Sequence, residues 1–308
     1  MKYFVILNPV SGRGYGARVI PQLEQFFKEL EMNFHLEKTE YPWHAAELAE
    51  LAARQGYDVV VCASGDGTVN EVINGLMLAR SQGMQHTALG ILSIGTGNDL
   101  AASLGLPDDL RTAIQTIKTG TRRWIDIGYA RSDELPEGRF FGNCVGIGFD
   151  AAGTILSQKI TYASGMFAYL IAAIQTIFTY YASAPTLQIY MDGEIFVQKA
   201  LMVSVMNGRR IGGGFWTAPG ARADDGLFDL CIASSVGRMR MFSLLPHFIK
   251  GTQATQPEIR MAQARKVKVT AIAGTLPVQM DGEIFCEEGH ELSIEIFPKQ
   301  LEVMGAVT

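Results

Sequence analysis

The sequence has few of the residues that build disulfide frameworks and zinc sites. Its 308 residues include only four cysteines and five histidines, and no two cysteines form a Cys-x-x-Cys pair. Such scattered cysteines argue against both kinds of site. The first apolar run also meets Asn8-Pro9 too early for the core of a signal peptide. We therefore expect a reduced, cytoplasmic protein.

Charged residues are scarce as well. They make up 19% of the chain, against about 25% in an average soluble protein. The 26 basic and 31 acidic residues leave a net charge of −5, whereas a nucleic-acid-binding protein normally presents a clustered basic face. The composition therefore predicts no nucleic-acid partner, and the length predicts two domains.

One long segment has no charge at all. Residues 160–191 contain no Asp, Glu, Lys or Arg, and residues 166–174 are wholly apolar. A membrane-spanning helix needs about 20 mostly apolar residues, but Gln175, Thr176 and Thr179 interrupt this run. We expect a helix over residues 162–181 that is buried or lies at a membrane surface. A true span is the less favoured alternative.

Apolar patterning divides the chain into two halves. Up to about residue 128, short apolar strands such as 3–7 and 57–62 alternate with segments of helical periodicity. This alternation predicts a parallel sheet with helices on both faces. Beyond that point, period-two strands and Asp-Gly turns predict a mostly antiparallel β domain. The expected domains are therefore an α/β domain over 1–127 and a β-rich domain over 128–297.

Glycine is abundant where three of the predicted strands end. The turns read Asn-Pro-Val-Ser-Gly-Arg-Gly-Tyr-Gly (8–16), Ser-Gly-Asp-Gly-Thr-Val-Asn-Glu (64–71) and Gly-Thr-Gly-Asn-Asp (95–99). Ligands of open α/β sheets bind outside the carboxyl ends of the strands, and glycine lets backbone amides approach a phosphate. Each turn alone is equally typical of a plain tight connection, but three in succession predict a phosphate site.

Two missing motifs narrow the kind of phosphate ligand. The chain contains no Gly-x-x-x-x-Gly-Lys-[Ser/Thr], which excludes a Walker-type P-loop. The first turn reads Gly-x-Gly-x-Gly and lacks the Gly-x-Gly-x-x-Gly spacing of dinucleotide-binding folds. A nicotinamide-dependent dehydrogenase is therefore disfavoured.

Taken in order, the three turns resemble the catalytic domain of the diacylglycerol kinase-like lipid kinases. The match is closest to the bacterial soluble members and extends more distantly to sphingosine kinases and NAD kinases. The segments Ala-Asp-Asp-Gly-Leu-Phe-Asp (223–229) and Met-Asp-Gly-Glu (280–283) stand where such kinases have them. The resemblance implies an α/β nucleotide domain, completed by residues 298–308, and an antiparallel β domain. Ser64 departs from the pattern, since most bacterial members have glycine there.

The resemblance also implies an ATP site around the Gly-rich turns. Its phosphates would be wrapped by residues 64–70, while Asn8 and Asp99 would frame the loops. A threonine after a strand is ordinary, so Thr39 is selected only by the resemblance. The complete expected set is Asn8, Thr39, Ser64, Gly65, Asp66, Gly67, Thr68, Val69, Asn70, Thr96, Asn98 and Asp99.

The hexapeptide Met-Asp-Gly-Glu-Ile-Phe occurs twice, at 191–196 (the early turn) and 280–285 (the late turn). Asp-Gly between alternating strands is first of all a hairpin signal. The resemblance places the catalytic motif near the carboxyl terminus. It therefore implies Glu283 as the group that accepts the proton of the attacking hydroxyl, with Asp281 beside it, and leaves the early turn as a hairpin tip.

The cofactor implied by the resemblance is Mg²⁺, with ATP as co-substrate. A structural ion would be held by Asp225 and the backbone carbonyls of Arg222 and Leu227, and Asp126 would lie near the catalytic metal. Oxygen donors of this kind suit Mg²⁺. From the residues alone, a plain turn is the favoured interpretation of Asp224-Asp225-Gly226, and Asp126 is equally a polar residue on an alternating strand.

The combined interpretation is an ATP- and Mg²⁺-dependent lipid kinase that makes transient contact with a membrane surface. Its partners would be ATP and a membrane lipid bearing a hydroxyl group, and its location cytoplasmic with peripheral membrane contact. Two alternatives stay open: a kinase for a soluble acceptor such as NAD, and a nucleotide- or lipid-binding protein without turnover. The sequence leaves the acceptor lipid and the oligomeric state open.

Overall fold

The computed structural model describes residues 1–84, 86–160, 163, 166–180 and 184–305. The chain forms two compact units, Met1–Ile125 with Lys299–Thr308, and Asp126–Pro298. The predicted helix ends Tyr162 and Tyr181 lie outside the described residues, and so do residues 306–308 of the segment expected to complete the first domain.

Strands and helices alternate in the first unit, as the apolar periodicity predicts. The elements in chain order are β1 (Lys2–Leu7), α1 (Ser11–Glu29), β2 (Asn33–Lys38), α2 (His44–Arg54), β3 (Val59–Ser64), α3 (Asp66–Ser81), β4 (Ala88–Ser93), α4 (Asp99–Ser103), α5 (Leu110–Thr119) and β5 (Thr121–Ser132), the last of which continues into the second unit.

The first unit is built on a parallel sheet. β1 pairs with β2 on one side and with β3 on the other, and β3 pairs with β4, all in parallel. The central strands β1 and β3 are buried along almost their whole length, which explains why they are continuous apolar runs. The prediction of an N-terminal parallel α/β domain is confirmed.

The second unit consists mainly of strands. Its elements are β6 (Arg139–Phe141), β7 (Cys144–Gly148), α6 (Phe149–Gln158), α7 (Met166–Tyr180), β8 (Thr186–Met191), β9 (Glu194–Met206), β10 (Phe228–Ser234), α8 (Arg238–Lys250), a 3₁₀ turn (Gln253–Thr255), β11 (Ile259–Ala264), β12 (Lys266–Ala273), β13 (Leu276–Met280), β14 (Glu283–Gly289) and β15 (Glu291–Gly305). β15 ends in the first unit, where Val303 pairs in parallel with Leu89 of β4.

The strands of the second unit pair in antiparallel fashion, as predicted. The long strand β9 pairs with β8 through its first half and with β7 and β10 through its second half. β13 joins β14 to β7, and β12 joins β8 to β15. Apolar side chains from these strands, including Phe141, Val203 and Phe228, form one buried cluster. The unit is a β sandwich.

One helix of the second unit differs from the sequence-based expectation. The helix α6 has no clear signal in the sequence, because the short segment Phe-Asp-Ala-Ala-Gly-Thr-Ile-Leu-Ser-Gln contains an internal glycine and lacks a clear apolar repeat. Within the described residues, the apolar helix α7 covers Met166–Tyr180. Among the described residues, no helix is long and apolar enough to cross a membrane.

Candidate functional site

The strand order of the first unit creates a place where ligands bind in such sheets. The chain passes from β1 to β2 on one side of β1 and then to β3 on the other side. Where a parallel sheet reverses its order in this way, the loops at the carboxyl ends diverge and leave a crevice. Residues 8–10 and Gly65 follow β1 and β3 directly. The first two Gly-rich turns therefore lie at this reversal.

Three polar side chains connect these two turns. The side-chain amide of Asn8 donates to the Thr68 hydroxyl at 3.0 Å, and the Ser64 hydroxyl donates to the same oxygen at 2.8 Å. Ser64 and Thr68 are both buried. The hydroxyl of Ser64, at the position where glycine is expected, therefore holds the first turn of α3 against the end of β3.

Glycine allows the second and third turns to touch each other. A Cβ atom on Gly95 would lie 2.2 Å from the Cα of Gly65, and one on Gly97 would lie 2.9 Å from a carboxylate oxygen of Asp66. Within the described part of the chain, no side chain caps the amino end of α3 at Gly65. Since amides at such a helix end attract anions, this end of α3 suits a phosphate group.

The third turn is held by its own side chains. Asn98 has a left-handed backbone (φ 51°), and its side chain bonds to both the amide and the carbonyl of Gly95 at 3.1 Å. The Asp66 carboxylate accepts the amide of Leu100 at 3.2 Å. Asp99 is buried, whereas Thr96 at the tip is exposed. Thr96 therefore presents its hydroxyl at the surface of this turn.

The remaining expected ATP contacts occupy two environments. Thr39 follows β2, where its amide donates to the carbonyl of Leu7 at 2.9 Å, at the same edge of the sheet as the first turn. Val69 and Asn70 are buried, and the side chain of Asn70 accepts from Asn74 at 3.2 Å. Their side chains face the interior, so their contribution to a phosphate site would come from the backbone of α3.

In the second unit, Asp281 anchors the late turn. Its side chain is 5% exposed, and its carboxylate accepts the amides of Gly142, Asn143 and Cys144 at 2.8–3.0 Å. Asp281 and Gly282 have φ angles of 47° and 86°, as in the two-residue turn that Asp-Gly favours. Asp281 is thus occupied by backbone donors and fixes the hairpin.

The early turn has the same backbone but different surroundings. Asp192 (φ 45°) accepts the amides of Arg265 and Lys266, both at 2.8 Å. The two carboxylate oxygens of Glu194 lie 2.6 and 2.8 Å from the guanidinium of Arg260. The matching residue of the late turn, Glu283, is exposed at the start of β14.

The four expected metal residues lie around one loop. Asp126 is fully buried; its amide donates to the carbonyl of Ala223 at 2.7 Å, and its carboxylate accepts the amide of Gly226 at 2.6 Å. Asp225 is exposed, and its carboxylate accepts the amide of Leu227 at 3.0 Å. The structure thus places Asp126 directly against the 222–227 segment.

The donors of this loop fit a hard cation. The guanidinium of Arg222 pairs with Asp224 at 3.2 Å. Because a guanidinium cannot ligate a cation, only the backbone carbonyl of Arg222 could serve as a metal ligand. One carboxylate oxygen of Asp229 is buried and has no hydrogen-bond partner among the described residues. Burial, with the charge of Asp225 nearby, raises the pKa of Asp229. No three Cys, His, Asp or Glu side chains of the described residues cluster as a metal site, so an ion here would depend on carbonyl oxygens and water.

Sequence reasoning did not select two polar residues of the second unit. The side-chain amide of Asn207 donates to the carbonyls of Asp126 and Gly142 at 2.9 and 2.7 Å, linking Asp126 to the segment that Asp281 holds. Asp150 lies at the start of α6 and accepts a hydrogen bond from the Ser204 hydroxyl. Burial raises the pKa of Asp150 to about 7. Its only sequence signal is an isolated acid in an apolar stretch.

The helices α7 and α8 expose large apolar side chains. Phe167 is 70% exposed, Phe178 on the same helix is also exposed, and Met239 of α8 is 82% exposed. Phe178 contacts Phe242 edge to face, with ring centroids 5.6 Å apart. The guanidinium of Arg238 lies 5.9 Å from the centre of the Phe178 ring. The outer face of these helices thus combines apolar groups with a cation.

Comparisons with known proteins cover both units. The diacylglycerol kinase catalytic domain family matches residues 2–130, and the YegS C-terminal NAD kinase beta sandwich-like domain family matches residues 143–305. The chain is 29% identical over 282 residues to a diacylglycerol kinase of Bacillus subtilis (strain 168), which covers 91% of this chain and 88% of that protein.

Solved structures share the fold. A diacylglycerol kinase from Bacillus anthracis str. Sterne superposes with a TM-score of 0.72 at 21% identity, over 99% of this chain and 96% of that one. Yeast NADH kinase, solved with NADH, superposes with a TM-score of 0.51 at 10% identity, over 100% of this chain and 84% of that one. With both of its domains matched in order, the chain belongs to the diacylglycerol kinase-like family.

Proposed function

We propose that this protein is an ATP-dependent lipid kinase that transfers the γ-phosphate of ATP to a lipid hydroxyl. The observation that carries the proposal is the contrast between the two identical hexapeptides. The two turns differ at the aspartate: Asp192 is exposed and accepts two amides, whereas Asp281, two residues before Glu283, is buried and accepts three amides. A carboxylate held on a rigid turn suits proton abstraction from an alcohol.

The proposed reaction gives each group one role. The Gly-rich turns and the amino end of α3 in the first unit would hold the ATP phosphates. Glu283 would accept the hydroxyl proton as the lipid oxygen bonds to the γ-phosphorus. The bond from the γ-phosphorus to the β–γ bridging oxygen breaks, and ADP leaves with that oxygen.

Asp225, with the carbonyls of Arg222 and Leu227, would hold a Mg²⁺ ion in the 222–227 loop. A bound Mg²⁺ supplies charge neutralisation and order to oxygen-rich segments. Asp126 would support the loop from inside, because it accepts the amide of Gly226. We assign this ion a structural role in the second unit.

A lipid is favoured as acceptor because curated relatives over 91% of the chain are diacylglycerol kinases and because α7 and α8 expose apolar side chains. Phe167, Phe178 and Met239 would contact acyl chains while Arg238 meets an anionic headgroup. Phe167→Ser should weaken binding to anionic vesicles and lower turnover of vesicle-borne lipid. Val197→Ser, at an apolar residue of β9 that is 55% exposed, is the control outside these helices. Equal effects of the two substitutions on vesicle binding would contradict the proposal that α7 contacts the membrane.

The test of the proposed reaction is transfer of label from γ-labelled ATP to acceptors in mixed micelles with Mg²⁺. The acceptors are diacylglycerol, a sphingoid base, phosphatidylglycerol and, as a soluble competitor, NAD. We expect a labelled lipid and no labelled NAD. If NAD alone were labelled, the protein would be a kinase for a soluble acceptor and not a lipid kinase. If no product formed despite tight ATP binding, the result would favour a binding protein without catalytic activity.

A further inference from the structure

The early and late turns differ at the residue two positions before the aspartate. In the late turn this residue is Gln279, which is 3% exposed, and its side-chain oxygen accepts the amide of Gly282 at 2.9 Å. In the early turn the residue is Tyr190. Among the described residues, the side chain of Tyr190 makes no hydrogen bond to its own turn, although its backbone pairs with Ile195 in the hairpin. Among the described residues, the late turn therefore has a side-chain contact, from the buried residue Gln279, that the early turn lacks.

The surroundings of Gln279 determine which way its amide points. Because the amide of Gly282 needs an acceptor, the oxygen of Gln279 faces the turn and its nitrogen faces β7. There the nitrogen lies 3.5 Å from the sulfur of Cys144. A Cβ on Gly146 would lie 2.6 Å from this nitrogen and 2.8 Å from a carboxylate oxygen of Asp150. The missing side chain of Gly146 thus makes room for both polar groups.

The contacts of the late turn fall on consecutive residues. Asp281 is held to the 142–144 segment by its carboxylate, and Gly282 is held by Gln279. Glu283 follows Gly282 directly. In the early turn, the contacts of the described residues anchor Asp192 in this manner and give no such anchor for Gly193. The backbone that enters Glu283 is therefore fixed at two successive positions, and the backbone that enters Glu194 at one.

We propose that Gln279 is a positioning residue for Glu283: it acts through the amide of Gly282 and orients the carboxylate toward the acceptor hydroxyl. This inference rests on the proposed lipid kinase activity. A buried polar side chain needs partners to offset its desolvation, and here the partner is the turn itself. A small misplacement of a reacting group lowers the rate strongly, whereas ATP binding, which involves the first unit, does not depend on this contact.

Gln279→Met tests the inference, since methionine keeps the length of the side chain and removes both hydrogen-bonding groups. We expect kcat to fall about 10- to 100-fold with an unchanged KM for ATP. In a Glu283→Gln background, the same substitution should lower the residual kcat no further, because residues that act as one unit are not additive. Tyr190→Met is the matched control and should leave kcat unchanged.

Hydrogen exchange provides a readout that needs no turnover. The amide of Gly282 should exchange about tenfold faster in Gln279→Met than in the wild type, while residues 191–196 of the same molecule keep their exchange rates. Unchanged exchange at Gly282, unchanged kcat, or an equal further loss in the Glu283→Gln background would overturn the positioning role. A wild-type protein that labels no lipid would instead refute the proposed function, and the exchange of Gly282 would still decide whether Gln279 holds the turn.

Discussion

In the early turn, Asp192 and Glu194 lie at the surface, where Asp192 accepts two amides and Glu194 pairs with Arg260. In the late turn, Asp281 is buried and accepts three backbone amides. The side chain of Gln279 accepts the amide of Gly282, the residue before Glu283. Both turns have the same six residues and the same left-handed aspartate. The same hexapeptide therefore forms the same hairpin in both places, while the strands packed around it determine how deeply the aspartate is buried and how many contacts hold the turn.

The largest expected effect concerns the two aspartates. Asp281→Ala would leave three buried amides without their acceptor and should lower the free energy of unfolding by about 3 kcal/mol. Asp192→Ala exposes two amides to water at the surface and should cost about 1 kcal/mol. Urea unfolding of both variants measures the difference. Equal losses would mean that the burial of Asp281 does not distinguish the late turn.

A second expected effect concerns Asp150, whose carboxylate lies near Gly146, as does the side-chain nitrogen of Gln279. Its neighbours include Ser204 and Cys231. Burial raises its pKa from the ordinary 3.8 to about 7, so between these values the native protein keeps a proton that the unfolded chain releases. Its contribution to stability is therefore present below about pH 4 and lost as the pH rises through about 7.

Asp150→Asn mimics the protonated acid and should remove this dependence. The loss of unfolding free energy between pH 4 and 8 should be smaller in the variant by on the order of 2 kcal/mol. Chemical denaturation of wild type and variant across this range measures it, and Asp133→Asn at an exposed turn serves as the control. Parallel pH profiles for wild type and Asp150→Asn would show that Asp150 does not keep its proton.

The smallest expected effect concerns the ion pair of the early turn. Arg260→Ala frees Glu194 from a half-exposed pair and should change the free energy of unfolding by less than about 1 kcal/mol. It should leave phosphate transfer unchanged, because Glu194 has no role in the proposed chemistry. A loss of kinase activity in this variant, measured beside the wild type, would mean that the two turns do not have separate roles.

The first unit could be predicted well because its elements depend on local patterns. β1, β3 and β4 are continuous apolar runs, and the helices between them repeat apolar residues at helical spacing. The second unit was predictable in class but not in detail. Its hairpins have Asp-Gly signals, whereas α6 begins with an acid and contains a glycine, so tertiary packing rather than local preference forms it.

The candidate site was predictable only where motifs exist. The Gly-rich turns follow strands, and their common edge of the sheet follows from parallel pairing. Nothing in the sequence says that Ser64 points inward to Thr68, or that Asp126 joins the 222–227 segment. Asn207 could not be selected either, because it donates to a residue that is distant in the chain. Gln279 could not be selected because it belongs to no motif of its own. Such contacts depend on which distant strands pair with each other, and the local patterns of a sequence do not indicate that pairing.

The most direct test of the account is the comparison of Glu283→Gln with Glu194→Gln in the γ-labelled ATP assay with mixed lipid micelles. If Glu283 accepts the hydroxyl proton, we expect Glu283→Gln to lower phosphate transfer to the lipid about 100-fold or more, with ATP binding and thermal stability retained. Glu194→Gln should keep the wild-type rate. Full activity of Glu283→Gln, or equal losses in both variants, would contradict the assignment of Glu283 as the group that accepts the hydroxyl proton.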